Sequence, residues 1–273
     1  MKITCVQMQP VFADVKANIT SIAHDITKHD TDLIIYPELA TCGYFFTDRD
    51  QLQKNSLAKE SEDFLSIQEA AKKKHVNVVL GFAEQDGDKL YNSSLLINSN
   101  GVIQGLYRKV HLFYYEKVLF STGDLGFPIF DITTRDKEQV KVGMQICYDW
   151  RFPEATRSLA LQGAQVIAIP ACIVTKTGML HDTLRVRAFE NKVIVAFADR
   201  VGSETAVVDN KKETLTFRGE SCIINYNGKI LSRLDDTAAG SITSEVDTEK
   251  TTSKDINSYN NILSDREPES YNS

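Results

Sequence analysis

The segment VKVGMQICYDWRFPEATRSLALQ, residues 140–162, decides the fold. Its first part, Val140–Cys147, is apolar enough for a buried strand, and Ala155–Gln162 has the composition of a helix. A strand that turns directly into a helix projects its last side chain above the sheet edge and aims free backbone N–H groups at it. Cys147 occupies that position, so we expect its thiol to ionise more easily than a free thiol. The segment therefore predicts an α/β protein with a nucleophilic cysteine.

The other cysteines give the alternative interpretation of Cys147. Cysteine in an apolar strand is more often a small buried hydrophobe, and Cys5, Cys172 and Cys222 lie in or beside such runs. Cys42 lies in a turn, where it can line a pocket or have no role. Cys147 is a nucleophile only if other parts of the chain supply a base and a group that stabilises negative charge.

Two further strand ends carry candidates for those roles. Glu38 follows the short apolar strand Asp32–Tyr36, where desolvation raises the pKa of a carboxyl group towards the range of a general base. Lys109 follows the strand Val102–Leu106 between apolar neighbours, so it can point inward and stabilise developing negative charge. Each residue, taken alone, also fits an ordinary solvated side chain.

The segments around Glu38, Lys109 and Cys147 together resemble the nitrilase superfamily of carbon–nitrogen hydrolases. The order Glu, Lys, Cys is that family's order, and within the family the chain resembles most the small microbial amidases. The similar segments are YPELATCGY (36–44), YRKVHLFYYEKVLFSTGD (107–124), GMQICYDWRFPEATRSLALQGAQVIAIP (143–170), LRVRAFENKVIVAFADRVG (184–202), FRGESCIINYNGKIL (217–231) and DREPESY (265–271). The resemblance therefore covers essentially the whole chain.

The resemblance implies a set of catalytic residues. Glu38 would be the general base, Cys147 the nucleophile and Lys109 the cation that binds the oxyanion together with the backbone N–H of Tyr148. Glu116 matches a second glutamate with which the family positions the substrate and holds the lysine; by its sequence alone it also fits a solvated acid at a helix start. The implied reaction converts a small amide to a carboxylic acid and ammonia through a cysteine thioester, with no metal and no organic cofactor.

The candidate substrate-binding residues are Tyr44, Tyr148, Trp150, Arg151 and Cys172, which lie close in sequence to the catalytic strand ends. Trp150 equally fits core packing. The string CYDWRFPE is similar to that of the family's ω-amidases, so Arg151 is a candidate to bind a substrate carboxylate in a bidentate manner. A structural salt bridge of Arg151 with Asp149 or Glu154 is the alternative.

Two positions depart from patterns found in the family. Many relatives have His–Trp where this chain has His181–Asp182, which weakens the analogy with ω-amidases. Nitrilases in the strict sense typically show Trp–Glu after the cysteine, whereas this chain has Tyr148–Asp149. The sequence therefore favours an amide substrate and leaves a nitrile, an N-carbamoyl compound or a carboxylate-bearing ω-amide open.

The sequence also leaves functional classes other than amide hydrolysis open. A papain-like enzyme would pair Cys147 with a histidine, and His111 is the candidate nearest the Lys109 strand end. The remaining histidines lie elsewhere in the sequence: His24, His29, His75 and His181. A glutaminase subunit that supplies ammonia to a separate synthetase, and a non-catalytic binding module, also remain open.

Composition restricts the partners. The chain has 273 residues and a formal net charge of −6, which argues against a nucleic-acid or anionic-membrane partner. Its five cysteines form no C-x-x-C pair or other metal-ligand spacing, which suits a reducing cytosol. The first residues lack the apolar core of a signal peptide, and no apolar run approaches the length of a membrane span. We therefore expect a cytoplasmic enzyme.

Short apolar runs alternate with helix-length segments along the chain, and Asn100–Gly101 and Asn227–Gly228 are strong hairpin signals. No linker or repeat interrupts this pattern, so we expect a single domain, 1–273, of the α/β class. The resemblance implies a four-layer αββα sandwich that forms a homodimer or a higher homo-oligomer through its outer helices. It also implies that the polar segment 248–273 is an arm that crosses to the partner subunit, whereas its composition alone predicts a frayed tail.

Overall fold

The protein is built from two mixed β-sheets flanked by helices, in a computed structural model that describes residues 1–175, 178–236 and 238–271. The strands are β1 (Lys2–Gln7), β2 (Leu33–Ile35), β3 (Asn77–Asp86), β4 (Lys89–Ile97), β5 (Ile103–Arg108), β6 (Ile129–Thr133), β7 (Gln139–Met144), β8 (Val166–Ala171), β9 (Ile194–Asp199), β10 (Val201–Val208), β11 (Lys211–Arg218), β12 (Cys222–Ile224), β13 (Ile230–Arg233) and β14 (Gly240–Glu245). The α-helices are α1 (Val15–Ile26), α2 (Arg49–Lys54), α3 (Leu65–Lys74), α4 (Glu116–Leu119), α5 (Pro153–Leu161) and α6 (Leu180–Asn191).

Each large sheet has six strands and a parallel centre. The first sheet has the order β14-β1-β2-β3-β4-β5 and the second has the order β13-β12-β9-β8-β7-β6. Strands β1, β2 and β3 are mutually parallel, as are β7, β8 and β9, whereas the outer strands are antiparallel to their neighbours. β10 and β11 form a separate hairpin.

Alternate residues of the buried strands point to opposite faces of a sheet, so that one face packs against the other sheet and the opposite face packs against helices. Leu33 and Ile35 of β2 contact the core between the two sheets, whereas Ile34 packs in a second core against α1 and α3. α1 begins after Asp14, whose carboxylate accepts the Ala17 N–H, and it buries an apolar stripe towards β2 and β3. α5 and α6 cover the outer face of the second sheet. The resulting order of layers, helix–sheet–sheet–helix, is the predicted αββα sandwich.

The topology gathers several loops at one edge of each sheet. The carboxyl ends of the central parallel strands, which include β2, β7, β8 and β9, lie at this edge. β5 ends there as well, because it returns to the direction of β3 through the antiparallel β4. Loops at the carboxyl ends of parallel strands are the usual place for ligand sites in α/β proteins. The segments that carry Glu38, Lys109 and Cys147 follow β2, β5 and β7.

Both predicted hairpins are present: β4 pairs with β5 around Asn100–Gly101, and β12 pairs with β13 around Asn227–Gly228. The predicted strand Val140–Cys147 ends earlier, at Met144, so Cys147 lies in the turn that follows. Sequence patterns did not indicate β6, β10, β11 or β14. Fewer than half of the residues in each of these strands are buried, so the strands lack the buried apolar run of a central strand.

Part of the C-terminal segment contacts α6 and the main core. Lys254 donates from Nζ to the carbonyl oxygens of Asn191 and Lys192 at the end of α6, and Leu263 packs against the main core. Lys254 and Leu263 thus tie parts of the segment to the rest of the chain despite its polar composition. Residues 272 and 273, the last two of the predicted arm, lie outside the described residues.

None of the helices in the described ranges combines the length and the apolar character that crossing a bilayer requires.

Candidate active site

Cys147 lies on a tight turn between β7 and α5. It opens a short 3₁₀ helix, Cys147–Arg151, and has a φ of +44°, a left-handed conformation that L-residues adopt only under strain. Its side chain is 4 % exposed and lines a cavity. In the described part of the chain, the backbone N–H of Tyr148 has no hydrogen-bond acceptor, as expected for the first turn of a helix. The turn therefore presents a sulfur atom and a free N–H donor side by side.

The expectation that Cys147 ionises easily is wrong. Burial raises the pKa of the Cys147 thiol well above its ordinary value, and the negative charge of Glu38 raises it further. Lys109 opposes both effects without overcoming them. Desolvation of a thiolate outweighs the field of a 3₁₀ helix of only five residues. Cys147 is thus held as a thiol, and its reaction needs a base.

The predicted base and cation are in direct contact. Lys109 is fully buried, with its Nζ atom 2.6 Å from Glu38 Oε1 and 2.8 Å from Glu116 Oε1. Burial alone would lower the pKa of Lys109, but Glu116 and Glu38 outweigh it and hold that pKa well above its ordinary value. The ammonium group is therefore charged and fixed between two carboxylates.

The two oxygens of Glu38 differ in their environment. Oε1 accepts hydrogen bonds from Lys109 Nζ and from Asn92 Nδ2, the latter at 2.7 Å. Oε2 is buried and has no hydrogen-bond partner among the described residues. Asn92 was missed by sequence reasoning, although an asparagine inside the buried strand β4 is the kind of polar exception that indicates a site. The arrangement leaves one carboxylate oxygen available to take a proton.

Glu116 is bound from three sides. Its Oε1 accepts from Lys109 and, at 2.5 Å, from the hydroxyl of Tyr44, while its Oε2 accepts the Phe113 N–H at 3.3 Å. Burial raises the pKa of Glu116 to about 7, with the charge of Lys109 opposing the shift and that of Glu38 adding to it. Tyr44, predicted to bind substrate, therefore contacts Glu116.

A second buried ion pair holds the loop that carries Tyr44. Glu204 accepts the backbone N–H groups of Tyr44 and Phe45 on Oε2, at 3.0 and 2.7 Å, and the guanidinium of Arg200 on Oε1. Arg200 also lies over the ring of Phe217, with 3.9 Å between its Cζ atom and the ring centroid. Sequence analysis did not identify this pair, because the two partners become neighbours of Tyr44 only in the folded chain.

The cavity next to Cys147 has a volume of about 200 Å³. Its lining includes four of the predicted substrate-binding residues, Tyr148, Trp150, Arg151 and Cys172, together with Phe113, Ile173, Val174 and Thr175. The Cys172 thiol also donates to the Glu38 carbonyl oxygen at 3.1 Å. The small volume and the mostly apolar walls suit a compact acyl group.

Arg151 is the one charged residue among those lining residues. Its side chain is exposed and lies over Trp150, with the guanidinium carbon 5.0 Å from the ring centroid. Within the residues that the structure describes, it forms no ion pair with Asp149 or Glu154. The alternative of a structural salt bridge is therefore not observed.

The histidines do not form a papain-like pair with Cys147. The His111 ring lies against Phe152, and its Nδ1 atom is 2.7 Å from Asp149 Oδ1. His29 pairs with Asp25, and His181 with the Glu220 carbonyl oxygen. The other two, His24 and His75, are exposed. Across the described residues, no group of three or more His, Cys, Asp or Glu side chains is arranged to hold a metal ion.

Comparisons with known proteins agree on one family. The chain matches the family described as Carbon-nitrogen hydrolase over residues 2–254. A protein named nitrilase from Pyrococcus abyssi is 38 % identical, with 99 % of each chain covered. An (R)-stereoselective amidase from Pseudomonas sp. is 32 % identical, covering 85 % of this chain and 80 % of its own. The crystal structure of a carbon–nitrogen hydrolase from Helicobacter pylori G27 is 26 % identical, with a TM-score of 0.79 and coverage of 92 % and 90 %.

Proposed function

Because this chain belongs to the carbon–nitrogen hydrolase family, we propose that it hydrolyses a small amide to a carboxylic acid and ammonia, with Cys147 as nucleophile. One observation carries the proposal. The Lys109 ammonium is buried between Glu38 and Glu116, whose carboxylates act on Cys147 electrostatically. A buried cation, a carboxylate with a free oxygen, and a thiol that lines a small cavity and feels both charges are the parts that acyl transfer requires.

In the first step, Glu38 Oε2 takes the proton of the Cys147 thiol as the sulfur attacks the amide carbon. Coupling the proton transfer to the attack avoids a free thiolate, which burial disfavours. The carbonyl oxygen gains negative charge and accepts hydrogen bonds from Lys109 Nζ and the Tyr148 N–H. Each such donor contributes about 3–4 kcal/mol to transition-state stabilisation in comparable sites.

In the second step, Glu38 returns the proton to the amide nitrogen, so that ammonia leaves and a thioester of Cys147 remains. Water then attacks the thioester carbon and gives its proton to Glu38, and the carboxylic acid is released with the thiol restored. Glu116 and Tyr44 keep Lys109 in place throughout, since the Tyr44 hydroxyl and Lys109 share the same carboxylate oxygen.

Ammonia release from a panel of compounds tests the function. The panel contains short aliphatic amides, acidic ω-amides, N-carbamoyl compounds and nitriles, each at matched concentration. We expect the fastest release from one of the amide classes. Release from nitriles or N-carbamoyl compounds alone would replace the amidase assignment by that activity. No release from any class by folded protein would favour a glutaminase subunit that needs a synthetase partner, or a binding module.

The exposed guanidinium of Arg151 favours a second, narrower candidate, an ω-amidase that acts on a carboxylate-bearing amide. No carboxylate of the described lining residues competes for Arg151 at the cavity. An arginine in this setting binds a carboxylate through two parallel hydrogen bonds.

Arg151→Gln is expected to raise KM for an acidic ω-amide about tenfold, because a hydrogen bond to a charged group is worth about 1.5–3 kcal/mol. KM for a neutral aliphatic amide of the same length should stay unchanged, and Arg49→Gln, on α2 and outside the cavity lining, is the matched control. Equal KM changes for the acidic and the neutral amide would contradict a carboxylate-binding role.

We also propose that the single domain, 1–273, forms a homodimer through α5 and α6. The two helices pack side by side on the outer sheet face and expose apolar side chains, namely Leu161, Val186 and Phe189, each between 46 % and 65 % exposed. Beyond Leu263, the C-terminal segment is the candidate for an arm that reaches the partner subunit. Apolar faces of this kind are typical of homodimer interfaces.

Light scattering tests the dimer. The full chain should give twice its 30.6 kDa mass, and removal of residues 264–273 or the change Phe189→Glu should shift the mass towards one chain at low micromolar concentration. Val207→Glu, on the distant β10–β11 hairpin and equally exposed, should leave the mass unchanged. A single-chain mass for the unaltered protein would contradict the dimer, and an unchanged mass after truncation would contradict the arm.

A further inference from the structure

Asp149 is a fully buried carboxylate that accepts four hydrogen bonds. Its Oδ1 accepts the backbone N–H of His111 at 3.1 Å and His111 Nδ1 at 2.7 Å. Its Oδ2 accepts the hydroxyl of Tyr107 at 2.6 Å and the backbone N–H of Ile146 at 2.9 Å. The Tyr107 oxygen in turn accepts the Val110 N–H at 3.2 Å. Every donor on this carboxylate comes from one of two short segments, 107–111 and 146–149.

These segments belong to different sheets and carry different parts of the proposed catalytic machinery. Tyr107 and His111 flank Lys109 at the end of β5 in the first sheet. Ile146 and Asp149 flank Cys147 and Tyr148 after β7 in the second sheet. A single carboxylate therefore joins the turn that holds the cation to the turn that holds the nucleophile and the N–H donor.

The two ion-pair partners of Lys109 do not connect the two sheets. Glu38 follows β2 and Glu116 starts α4, so both belong to the first-sheet side of the site. The ring of His111 adds a second tie across the gap, because it stacks on Phe152 with 3.6 Å between centroids and an angle of 8° between planes. Asp149 and His111 thus bind the Lys109 segment directly to the segment that follows Cys147.

We infer that Asp149, together with Tyr107 and His111, is a positioning unit that sets Lys109 Nζ and the Tyr148 N–H at the separation at which both bind one oxyanion. The inference rests on the proposed function, since it concerns the oxyanion formed there. The unit contributes no group to the reaction itself. It acts through geometry, and oxyanion stabilisation depends steeply on the placement of preorganised donors.

Asp149→Asn tests the inference with almost no change in volume. The amide places an NH₂ group where a carboxylate oxygen accepted two hydrogen bonds. The two donors that bound this oxygen then face another donor and lose their acceptor. We expect kcat for the best amide to fall about 100-fold, as for a misplacement of about 1 Å, with KM little changed. Alkylation of Cys147 by iodoacetamide should keep the wild-type rate, because it forms no oxyanion.

A double-mutant cycle identifies the unit. Tyr107→Phe and His111→Gln should each lower kcat in the wild-type background and have little further effect in the Asp149→Asn background, since they act through the same carboxylate. Tyr91→Phe is the matched control: it removes a hydroxyl from the neighbouring strand β4 that binds Asp124, and its effect should be the same in both backgrounds. If Asp149→Asn does not fold, the two milder variants carry the test through their own kcat and alkylation rates.

Three results would overturn the inference: wild-type kcat in Asp149→Asn, additive effects in the cycle, or a parallel loss of kcat, alkylation rate and thermal stability, which would indicate a purely structural role. These results differ from a failure of the proposed function, in which the wild-type chain itself releases no ammonia from any compound of the panel.

Discussion

Cys147→Ala is expected to abolish ammonia release, lowering kcat by about 10⁴-fold or more, as loss of a catalytic nucleophile does. The remaining groups, Glu38 and Lys109, can polarise an amide but cannot form the thioester. The change removes one sulfur atom from the edge of a cavity and leaves the bonds of Ile146 and Asp149 in the same turn intact. Kinetics on the best compound of the panel, with thermal unfolding in parallel, should show an inactive protein of near wild-type stability.

Cys222→Ala is the matched control for this prediction. Cys222 is completely buried in the core between β9 and β13, and it does not line the cavity. The control should lose some stability by leaving a small void and should keep kcat. A mass spectrum of wild type quenched during turnover should show an acyl adduct on Cys147. Full activity of Cys147→Ala would contradict cysteine catalysis altogether.

The central strands could be predicted from the sequence because they are buried on both faces. Val166–Ala171 and Ile194–Asp199 consist of residues that are all buried, and such strands appear in the sequence as continuous apolar runs. Half of the residues in the hairpin strand Lys211–Arg218 are exposed, and the strand contains charged and hydroxyl side chains. Its pairing with Val201–Val208 is set by cross-strand contacts such as Thr205–Thr214, which a local pattern does not reveal.

The catalytic residues could be predicted because they follow strand ends in the sequence. Properties that depend on how deeply a residue is buried could not. Glu38, Lys109, Cys147 and Glu116 were named from their sequence context and the family resemblance, and the structure places Lys109 between the two glutamates. The direction of the Cys147 pKa was predicted wrongly because desolvation is the dominant effect and burial of the turn is a tertiary property.

The roles of Asp149 and Asn92 could not be predicted, because their hydrogen-bond partners are distant in the sequence. Asp149 binds Tyr107 and His111, about forty positions earlier in the chain, and Asn92 binds Glu38, more than fifty positions away. These contacts arise only when the two sheets stack and β4 pairs with β3. Sequence spacing carries information about neighbours within one strand or helix, but not about hydrogen bonds between separate strands or between sheets.

Lys109→Met is the second change for which we expect a large effect, and it acts on both catalysis and stability. Removal of the ammonium takes away one oxyanion donor, so kcat should fall about 10²–10³-fold. The same change leaves Glu38 and Glu116 buried without their cation, and breaking a buried pair on one side costs about 3–5 kcal/mol. Methionine fills most of the volume of the lysine side chain, so a void is not the cause.

Lys117→Met is the matched control for the loss of positive charge. Lys117 lies next to Glu116 on α4, is exposed and forms no ion pair among the described residues. Its replacement should change kcat and the free energy of unfolding very little, as is usual for exposed charges. A Lys109→Met variant that behaved like this control would contradict the role of Lys109 both as oxyanion partner and as the counter-ion of the two glutamates.

The pH dependence of stability separates loss of the cation from a simple packing defect. A glutamate in the unfolded chain titrates near 4.3, whereas burial raises the pKa of Glu116 to about 7 against the charge of Lys109. Between these values the folded chain holds a proton that the unfolded chain has lost, so this group makes stability fall as the pH rises from about 4.3 to about 7. In Lys109→Met the opposing charge is gone, so the pKa of Glu116 rises further and the fall continues above pH 7. Urea unfolding at pH 5.5 and pH 8 should therefore show a larger deficit of the variant at pH 8, whereas a packing defect would give the same deficit at both.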